Sequence, residues 1–144
     1  MARTDEGSGA LHQLHVPELS DLSRLGLESW LERDVLPDGA QELSEPIYLV
    51  CVHGKRDRCC ALRGMPLYNA LRELAPEQVW QTTHLGGHRF AATMVVLPHG
   101  ICYGRLAELD AMGLHLAHQA HAFHDLSKVR GRTCYDAVGQ AAEV

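Results

Sequence analysis

The run IYLVCV, from Ile47 to Val52, constrains the fold of this chain more than any other stretch. It is continuously apolar and β-prone, which is typical of a strand covered on both faces, as in parallel sheets. The segment from Cys60 to Leu74 follows, with apolar residues at helical spacing. Gly64 and Pro66 predict either a bent first turn or a helix proper that begins at Pro66. A strand followed by a packed helix is therefore expected.

The later part of the chain continues this alternation. VWQTTH (Val79 to His84) is a second candidate strand, and two apolar runs flank Pro98-His99-Gly100 as a hairpin would. A last helix is predicted over about Ala107 to His124. The order strand, helix, strand, hairpin, helix predicts an α/β fold of the thioredoxin-like type. It would have a mixed four-stranded sheet in which a helical crossover joins a parallel pair.

The ends of the chain carry weaker patterns. Residues 1 to about 18 predict a mobile tail, and Ser20 to Arg33 predicts a short helix. The expected division is an N-terminal tail and short helix over 1–45, a thioredoxin-like domain over 46–130, and a C-terminal tail over 131–144.

Composition limits the kinds of partner. The 144 residues are 46% hydrophobic, enough for one ordinary core, and the formal charge of -5 gives no reason to expect nucleic acid. This mild acidity suits a basic redox partner. The sequence has no apolar stretch of about 20 residues, so no membrane span is expected. We expect a cytoplasmic protein, whose five cysteines would be ligands or buried residues rather than disulfides.

Four side chains of types that bind metals follow the two predicted parallel strands. Cys51 ends the first strand region and Cys60 follows its loop, while His84 and His88 follow the second strand. Because parallel strands end at the same edge of a sheet, these four side chains should converge. Two thiolates and two imidazoles form a typical metal-ligand set. Cys59 is a close rival of Cys60, because two adjacent thiols cannot easily face one metal.

The motifs CVHGKRDRCC, HLGGH, VVLPHGICYGR and RGRTCY resemble the sucrase/ferredoxin-like family over roughly Pro46 to Tyr135. The resemblance implies a thioredoxin-fold ferredoxin that carries a 2Fe-2S cluster and takes part in electron transport. It implies that Cys51 and Cys60 ligate one iron and that His84 and His88 ligate the other. The family register selects Cys60 over Cys59. The resemblance also implies a redox partner protein and allows a homodimer.

Histidine ligation has chemical consequences. Replacing two thiolates by neutral imidazoles removes negative charge and raises the reduction potential, so the histidine-bearing iron should be the one that is reduced. A coordinated imidazole keeps a second, titratable nitrogen, which suggests that electron uptake is coupled to proton uptake. A potential that does not change between about pH 6 and 9 would contradict this hypothesis.

Four further side chains are candidates for supporting the ligands. His53, in the turn after the first strand, could hydrogen-bond to the loop or cluster, or be a solvated turn residue. Arg56 and Asp57 could brace the ligand loop through a salt bridge, and Arg89 could supply a contact beside the last ligand.

Two other functions fit the same residues. A structural Cys2His2 zinc module is one, although the gap between the cysteines is longer than the usual two to four residues. A thioredoxin-like thiol oxidoreductase is the other; the chain has no CxxC motif, but Cys59 and Cys60 are vicinal. Colour separates these functions, because an oxidised 2Fe-2S protein is red-brown and the other forms are colourless.

The last predicted helix contains a second group of histidines. His115, His118, His121 and His124 recur every three residues and are expected on a solvated face, opposite an apolar face that includes Leu109, Met112, Leu116, Ala120 and Phe123. A surface zinc or nickel site from His118 and His121 is the minor alternative. Cys102 and Cys134 are expected to be packing residues.

Overall fold

The computed structural model describes residues 1–6, 8–26, 29–30 and 35–143. Within these residues the chain forms eight β-strands, which are β1 (Ala2–Thr4), β2 (Gly9–Gln13), β3 (Gln41–Glu42), β4 (Ile47–Cys51), β5 (Val79–Thr82), β6 (Met94–Leu97), β7 (Ile101–Tyr103) and β8 (Val129–Arg132). The helices that pack on them are α1 (Arg58–Leu74), α2 (Ala111–Gln119) and α3 (Ala137–Glu143).

The main sheet has the strand order β5-β4-β6-β7-β8. β4 pairs in parallel with β5, and β6 and β7 form the predicted antiparallel hairpin. The thioredoxin-like α/β fold is therefore confirmed. The sheet has five strands rather than the predicted four, because β8 adds to the outer edge of β7. Sequence reasoning missed β8 because it is the short run VRGR, which carries no strand-like apolar pattern.

The run from Ile47 to Val52 is the central strand of this sheet, as its composition predicts. Tyr48 and Val50 are completely buried and pack against Leu67 and Leu71 of α1. Ile47 and Leu49, which point to the opposite face, are only half-buried. One face of β4 is thus fully covered and the other partly covered, so the expected burial on both faces is met on one side only.

Helix α1 begins before Pro66, which is one of the two predicted starts. Asp57 is its N-cap and Arg58 its first residue, so a helix that begins at Pro66 is wrong. Pro66 lies inside the helix, where it removes one backbone hydrogen-bond donor. The early start matters for the site because it places Cys60 in the first turn of the helix.

The N-terminal region is ordered into strands rather than being the mobile tail that the sequence predicts. β1 pairs with β2, and β2 pairs with β3, each antiparallel. Leu11 of β2 is buried, and the hydroxyl of Thr4 donates to the carbonyl of Pro98 in the main-sheet hairpin. Where a helix is predicted from Ser20 to Arg33, the structure has a 3-10 helix over Leu19–Arg24. Part of the predicted helix beyond Arg24 lies outside the described residues.

The last predicted helix is shorter and faces the other way. α2 follows a 3-10 helix at Glu108–Asp110 and ends at Gln119. Leu109 is 95% exposed, whereas His118 is only 7% exposed. The expectation of a solvated histidine face opposite a buried leucine face is therefore wrong.

Two tyrosine hydroxyls explain this inversion. Tyr48 and Tyr103 are buried in the sheet beneath α2, and each hydroxyl requires a hydrogen-bond partner there. The Tyr48 hydroxyl lies 3.2 Å from His115 Nδ1, and the Tyr103 hydroxyl lies 3.1 Å from His118 Nε2. The histidine face of the helix is buried because it satisfies these two groups.

The C-terminal region also contains regular structure. β8 extends across the expected boundary at residue 130, and α3 follows where a tail is predicted. The division of the chain into domains over 1–45, 46–130 and 131–144 stays a prediction. No helix in the described ranges combines the length and apolar character needed to cross a membrane.

Candidate metal centre

The site lies at the edge of the sheet where the two parallel strands end. The register pairs Cys51, the last residue of β4, with Thr82, the last residue of β5. His84 therefore follows two residues beyond the partner of Cys51, at the same end of the sheet. The chain returns to this end through the loop before α1, which brings Cys60 close as well.

Three of the four predicted ligands meet here. The donor atoms of Cys51, Cys60 and His84 all lie within 4.8 Å of one another. Cys60 Sγ is 3.7 Å from His84 Nδ1. Both cysteines are fully buried and the histidine is half-buried. Within the described ranges this is the one group of at least three potential metal ligands.

His88 lies beside this group but is not part of it. It begins a 3-10 helix over His88–Phe90, which the left-handed conformations of Gly86 (φ 88°) and Gly87 (φ 60°) allow the chain to enter. The His88 ring centroid lies 6.1 Å from that of His84. The His88 side chain is 59% exposed, and its Nδ1 lies 3.6 Å from Asp57 Oδ2.

Asp57 connects the cysteine-bearing helix to the histidine-bearing loop. Its carboxylate accepts a hydrogen bond of 2.9 Å from the Cys59 amide and so caps α1. That bond lowers the pKa of the Asp57 carboxyl, and the nearby His88 and His84 lower it further. In the described part of the chain, Asp57 makes no ion pair with Arg56, and its carboxylate lies 3.6 Å from His88 Nδ1 instead. That Arg56 and Asp57 brace the ligand loop stays a prediction.

The vicinal cysteines occupy opposite environments. Cys60 is buried within the ligand group, whereas Cys59 is exposed to solvent. The helical turn forces this separation, because adjacent residues on a helix point about 100° apart. Burial, helped by the hydrogen bond to Cys51, raises the pKa of the Cys60 thiol to about 11. Redox-active thiols have lowered pKa values, so this environment does not favour thiol oxidoreduction.

The two other candidate supporting residues are His53 and Arg89. The His53 carbonyl accepts from the amides of Arg56 and Asp57, closing the turn before α1, and His53 Nδ1 is buried without a hydrogen-bond partner. Arg89 is exposed, with its guanidinium 4.9 Å from the centroid of the Phe90 ring.

The remaining cysteines and histidines lie outside the group. Cys102 is half-buried on β7, and its thiol donates to the Gly100 carbonyl. Cys134 is half-buried near the C-terminus. His118 is paired with Tyr103, so it is not positioned for a surface metal site with His121.

Sequence reasoning connects Gly64 only with a bent first turn and misses the packing role by which this residue shapes the site. Gly64 lies one turn after Cys60, and a Cβ at this position would collide with the carbonyl oxygen of Cys51. The glycine lets α1 lie directly against the end of β4. A glycine at a buried position inside an amphipathic helix was the available signal, because it costs helix stability and so suggests a packing role.

The donor set fits a sulfur-preferring transition-metal centre. Two buried sulfurs and one imidazole nitrogen are already gathered, with a second imidazole at the open side. Thiolate with imidazole ligation is used by iron-sulfur centres and by zinc, whereas magnesium and calcium prefer oxygen ligands.

Comparison with solved structures identifies the same architecture elsewhere. The wild-type thioredoxin-like 2Fe-2S ferredoxin from Aquifex aeolicus aligns with a TM-score of 0.53 and 16% sequence identity, over 62% of this chain and 100% of that chain. A second structure of a thioredoxin-like 2Fe-2S ferredoxin from that organism aligns with a TM-score of 0.54 and 16% identity, over 63% and 94% of the two chains. At this level of identity the similarity establishes the fold.

Sequence comparison supplies the family. Altered inheritance of mitochondria protein 32 from Meyerozyma guilliermondii is 29% identical over 84 residues, which are 51% of this chain. The match spans only 30% of that relative's length. The profile of the sucrase/ferredoxin-like family matches residues 8–129, which is most of the chain and includes the entire candidate centre. This chain belongs to the sucrase/ferredoxin-like family.

Proposed function

We propose that this protein is an electron carrier that holds one 2Fe-2S cluster through Cys51, Cys60, His84 and His88. The observation that carries the proposal is the meeting of Cys51, Cys60 and His84 within 4.8 Å at the shared end of β4 and β5. The ferredoxins with the same fold and the family to which the chain belongs support it.

The two kinds of ligand have different environments. The cysteines are fully buried, whereas the histidine loop reaches the surface, with His88 more than half exposed. A 2Fe-2S cluster accepts and releases single electrons, and its potential rises when imidazoles replace thiolates. In this proposal the protein exchanges electrons through the exposed histidine side and performs no substrate chemistry of its own.

Asp57 has two roles in the proposal. It caps the helix that carries Cys60, and its carboxylate lies 3.6 Å from His88 Nδ1, so that Nε2 is the ring nitrogen turned away from Asp57 that would act as a ligand. The same contact gives the proton-coupling hypothesis a specific place. A potential measured by protein-film voltammetry that is constant from about pH 6 to 9 would contradict that part of the proposal alone.

The cellular setting is proposed on narrower grounds. All five cysteines are free, which suits a reducing compartment such as the cytoplasm. The family resemblance supports a redox partner protein and allows a homodimer.

A structural zinc site is the second candidate. In a tetrahedral zinc site with bonds of about 2.3 Å to sulfur and 2.0 Å to nitrogen, the two ligand atoms are about 3.5 Å apart. The 3.7 Å distance from Cys60 Sγ to His84 Nδ1 is close to that value. This distance would suit a single metal ion held by these two ligands, and it is also the length of the direct Cys60–His84 hydrogen bond.

The deciding experiment compares three variants purified without oxygen. Iron, acid-labile sulfide and zinc are measured with the visible spectrum for the wild type, Cys60→Ser and His84→Ala. Cys59→Ser is the matched control because Cys59 is exposed and outside the ligand group. We expect about two irons and two sulfides per chain in the wild type and in Cys59→Ser. The visible bands should be lost in Cys60→Ser and lost or shifted in His84→Ala.

Two results would contradict the proposal. A colourless protein that resists cluster reconstitution and binds one zinc would favour the structural module. Loss of the cluster in Cys59→Ser but not in Cys60→Ser would show that the ligand register is wrong.

A further inference from the structure

Three arginines surround one aromatic ring beside the proposed centre. The guanidinium carbons of Arg89, Arg105 and Arg130 lie 4.9, 5.3 and 4.9 Å from the centroid of the Phe90 ring. No two of them can therefore be more than about 10 Å apart, which is about one Debye length at 0.1 M salt. We call these three residues the arginine triad.

The arginine triad is fixed to the segment that carries His88. Arg89 and Phe90 are the next two residues of the same 3-10 helix. The Arg105 amide donates to the Phe90 carbonyl at 2.6 Å, which holds the β7–α2 connection against this helix. A Cβ at Gly104 would approach Phe90 Cβ at 2.8 Å and Arg130 Nε at 3.3 Å, so the neighbouring backbone also lies close. The triad is thus built into the edge of the centre.

No described carboxylate neutralises the triad. Within the described ranges none of the three arginines forms an ion pair with Asp or Glu, and residues 78–107 contain no acidic side chain. Arg89 and Arg105 are exposed and Arg130 is half-buried. A guanidinium stacked on a ring still presents its N–H groups at its edge, in the geometry that binds carboxylate oxygens in pairs.

The charge of the chain is divided along its length. Residues 1–45 contain three basic and ten acidic side chains, a formal charge of -7, whereas residues 46–144 contain ten basic and eight acidic side chains, a formal charge of +2. Lys55, Arg56 and Arg58 are exposed in the segment between the two cysteine ligands, so the residues that frame the centre in sequence are also basic. The net negative charge of the whole chain suggests a basic partner, but the part of the chain that contains the centre has a net positive charge.

We propose that the arginine triad is the docking surface for a redox partner protein that presents clustered Asp and Glu carboxylates. This inference rests on the proposed electron-carrier function, because it places the partner next to the exposed histidine side. Complementary charge steers such encounters and fixes orientation, which electron exchange over short distances requires. The formal charge of -5 on the whole chain disfavours nucleic acid, whose negative charge continues along its length, whereas a protein can present a short cluster of carboxylates to the triad.

The first test needs no cluster. A fluorescein-labelled peptide of twelve glutamates is titrated with the purified full chain, and binding is measured by fluorescence anisotropy at 20 and 200 mM salt. The wild type is compared with Arg89→Gln/Arg105→Gln. Arg24→Gln/Arg72→Gln is the matched control, because it removes the same charge from exposed arginines in other elements. Thermal unfolding checks that all forms are folded.

We expect the triad variant to bind the peptide about three- to tenfold more weakly than both the wild type and the control. Binding should also weaken with salt in the wild type. Equal affinity for the two double variants would overturn the proposal. Tighter binding of a labelled twelve-nucleotide single strand than of the peptide, with loss in the triad variant, would assign the surface to nucleic acid and also overturn it.

The second test uses the reduced, cluster-loaded protein in a stopped-flow experiment. One electron passes from each reduced chain to one hexacyanoferrate(III) anion, or to one tris(phenanthroline)cobalt(III) cation as the opposite-charge probe. The triad variant should react about three- to tenfold more slowly with the anion and no more slowly with the cation. Equal slowing with both probes would mean that the triad does not act by charge. If the chain holds no cluster, the electron-carrier function fails, and the peptide titration still decides whether the surface binds carboxylates.

Discussion

Gly64 lies directly against the carbonyl of Cys51, so that a Cβ on the glycine would overlap with the carbonyl oxygen and lie 3.2 Å from the carbonyl carbon. Because the contact involves the backbone of Gly64 and the backbone of Cys51, no side-chain rotation can relieve such an overlap. The first turn of α1, with Cys60, is therefore held at a fixed distance from the end of β4. The spacing of the two thiols depends on this contact.

The first prediction is that Gly64→Ala destabilises the protein, although alanine is the better helix former by about 1 kcal/mol. Overpacking of this kind costs about 1–3 kcal/mol, and the displaced helix should also lower iron content. Urea unfolding and iron assays measure both effects. Asn69→Ala, at an exposed position of the same helix, is the control and should lose neither property. A Gly64→Ala protein as stable as that control would show that the contact does not set the spacing.

The second prediction concerns the two functions of Asp57. Asn caps helices as well as Asp does but cannot carry a charge, whereas Ala does neither. We expect Asp57→Ala to be less stable in urea than Asp57→Asn. Both variants should alter the reduction potential, because both remove the negative charge beside His88. Equal stability of the two variants would argue against the cap, and unchanged potentials would argue against the contact with His88.

The third prediction follows from the burial of His118. Desolvation, with a smaller contribution from His99 and His124, lowers the pKa of His118 from 6.5 to about 4. The folded protein therefore disfavours protonation of His118. Its contribution to stability is complete above pH 6.5 and is lost as the pH falls toward 4. The full loss is on the order of 3 kcal/mol.

Urea unfolding at pH 7.5, 6, 5 and 4.5 tests this prediction. His118→Gln keeps a hydrogen-bonding group near Tyr103 but cannot titrate, so its stability should fall less steeply with decreasing pH than that of the wild type. His15→Gln removes an exposed histidine and should keep the wild-type slope. Parallel curves for the wild type and His118→Gln would contradict the assignment.

The fourth prediction tests the orientation of α2. Leu114 is fully buried, whereas Leu116 is 55% exposed. Leu114→Ala should reduce the free energy of unfolding by about 2–5 kcal/mol. Leu116→Ala makes the same chemical change on the same helix and should cost about 0.5 kcal/mol or less. Similar losses would mean that the leucine face is covered after all.

The sequence was most informative where one physical requirement dominated. β4 could be predicted because a continuous apolar run must be buried, and the meeting of Cys51 with His84 follows from the parallel pairing of two such strands. Cys60 could be distinguished from Cys59 only through the family register, since the local pattern does not tell which thiol a helical turn buries. The structure then explains the difference, because the cap at Asp57 fixes where the helix begins.

The failures have a common physical origin in long-range contacts. The sequence pattern predicts that the leucine face of α2 is buried. In the structure the hydroxyls of Tyr48 and Tyr103, which come from distant strands, determine which face is buried. β1 and β2 lack apolar alternation and are ordered by pairing with each other. The sequence pattern suggests that Asp57 pairs with its neighbour Arg56, whereas in the structure its carboxylate lies beside His88, 31 residues later in the chain. Local patterns cannot reveal such partners.

The candidate centre draws its donors from three separate segments: the end of β4, the first turn of α1 and the loop after β5. Whatever is bound by all three becomes a cross-link that joins residues 33 positions apart, from Cys51 to His84. Such a cross-link restricts the unfolded chain and stabilises the folded one, so binding free energy becomes folding free energy. When the centre is loaded as proposed, the persistence of this protein in a cell is tied to the supply of the metal it carries.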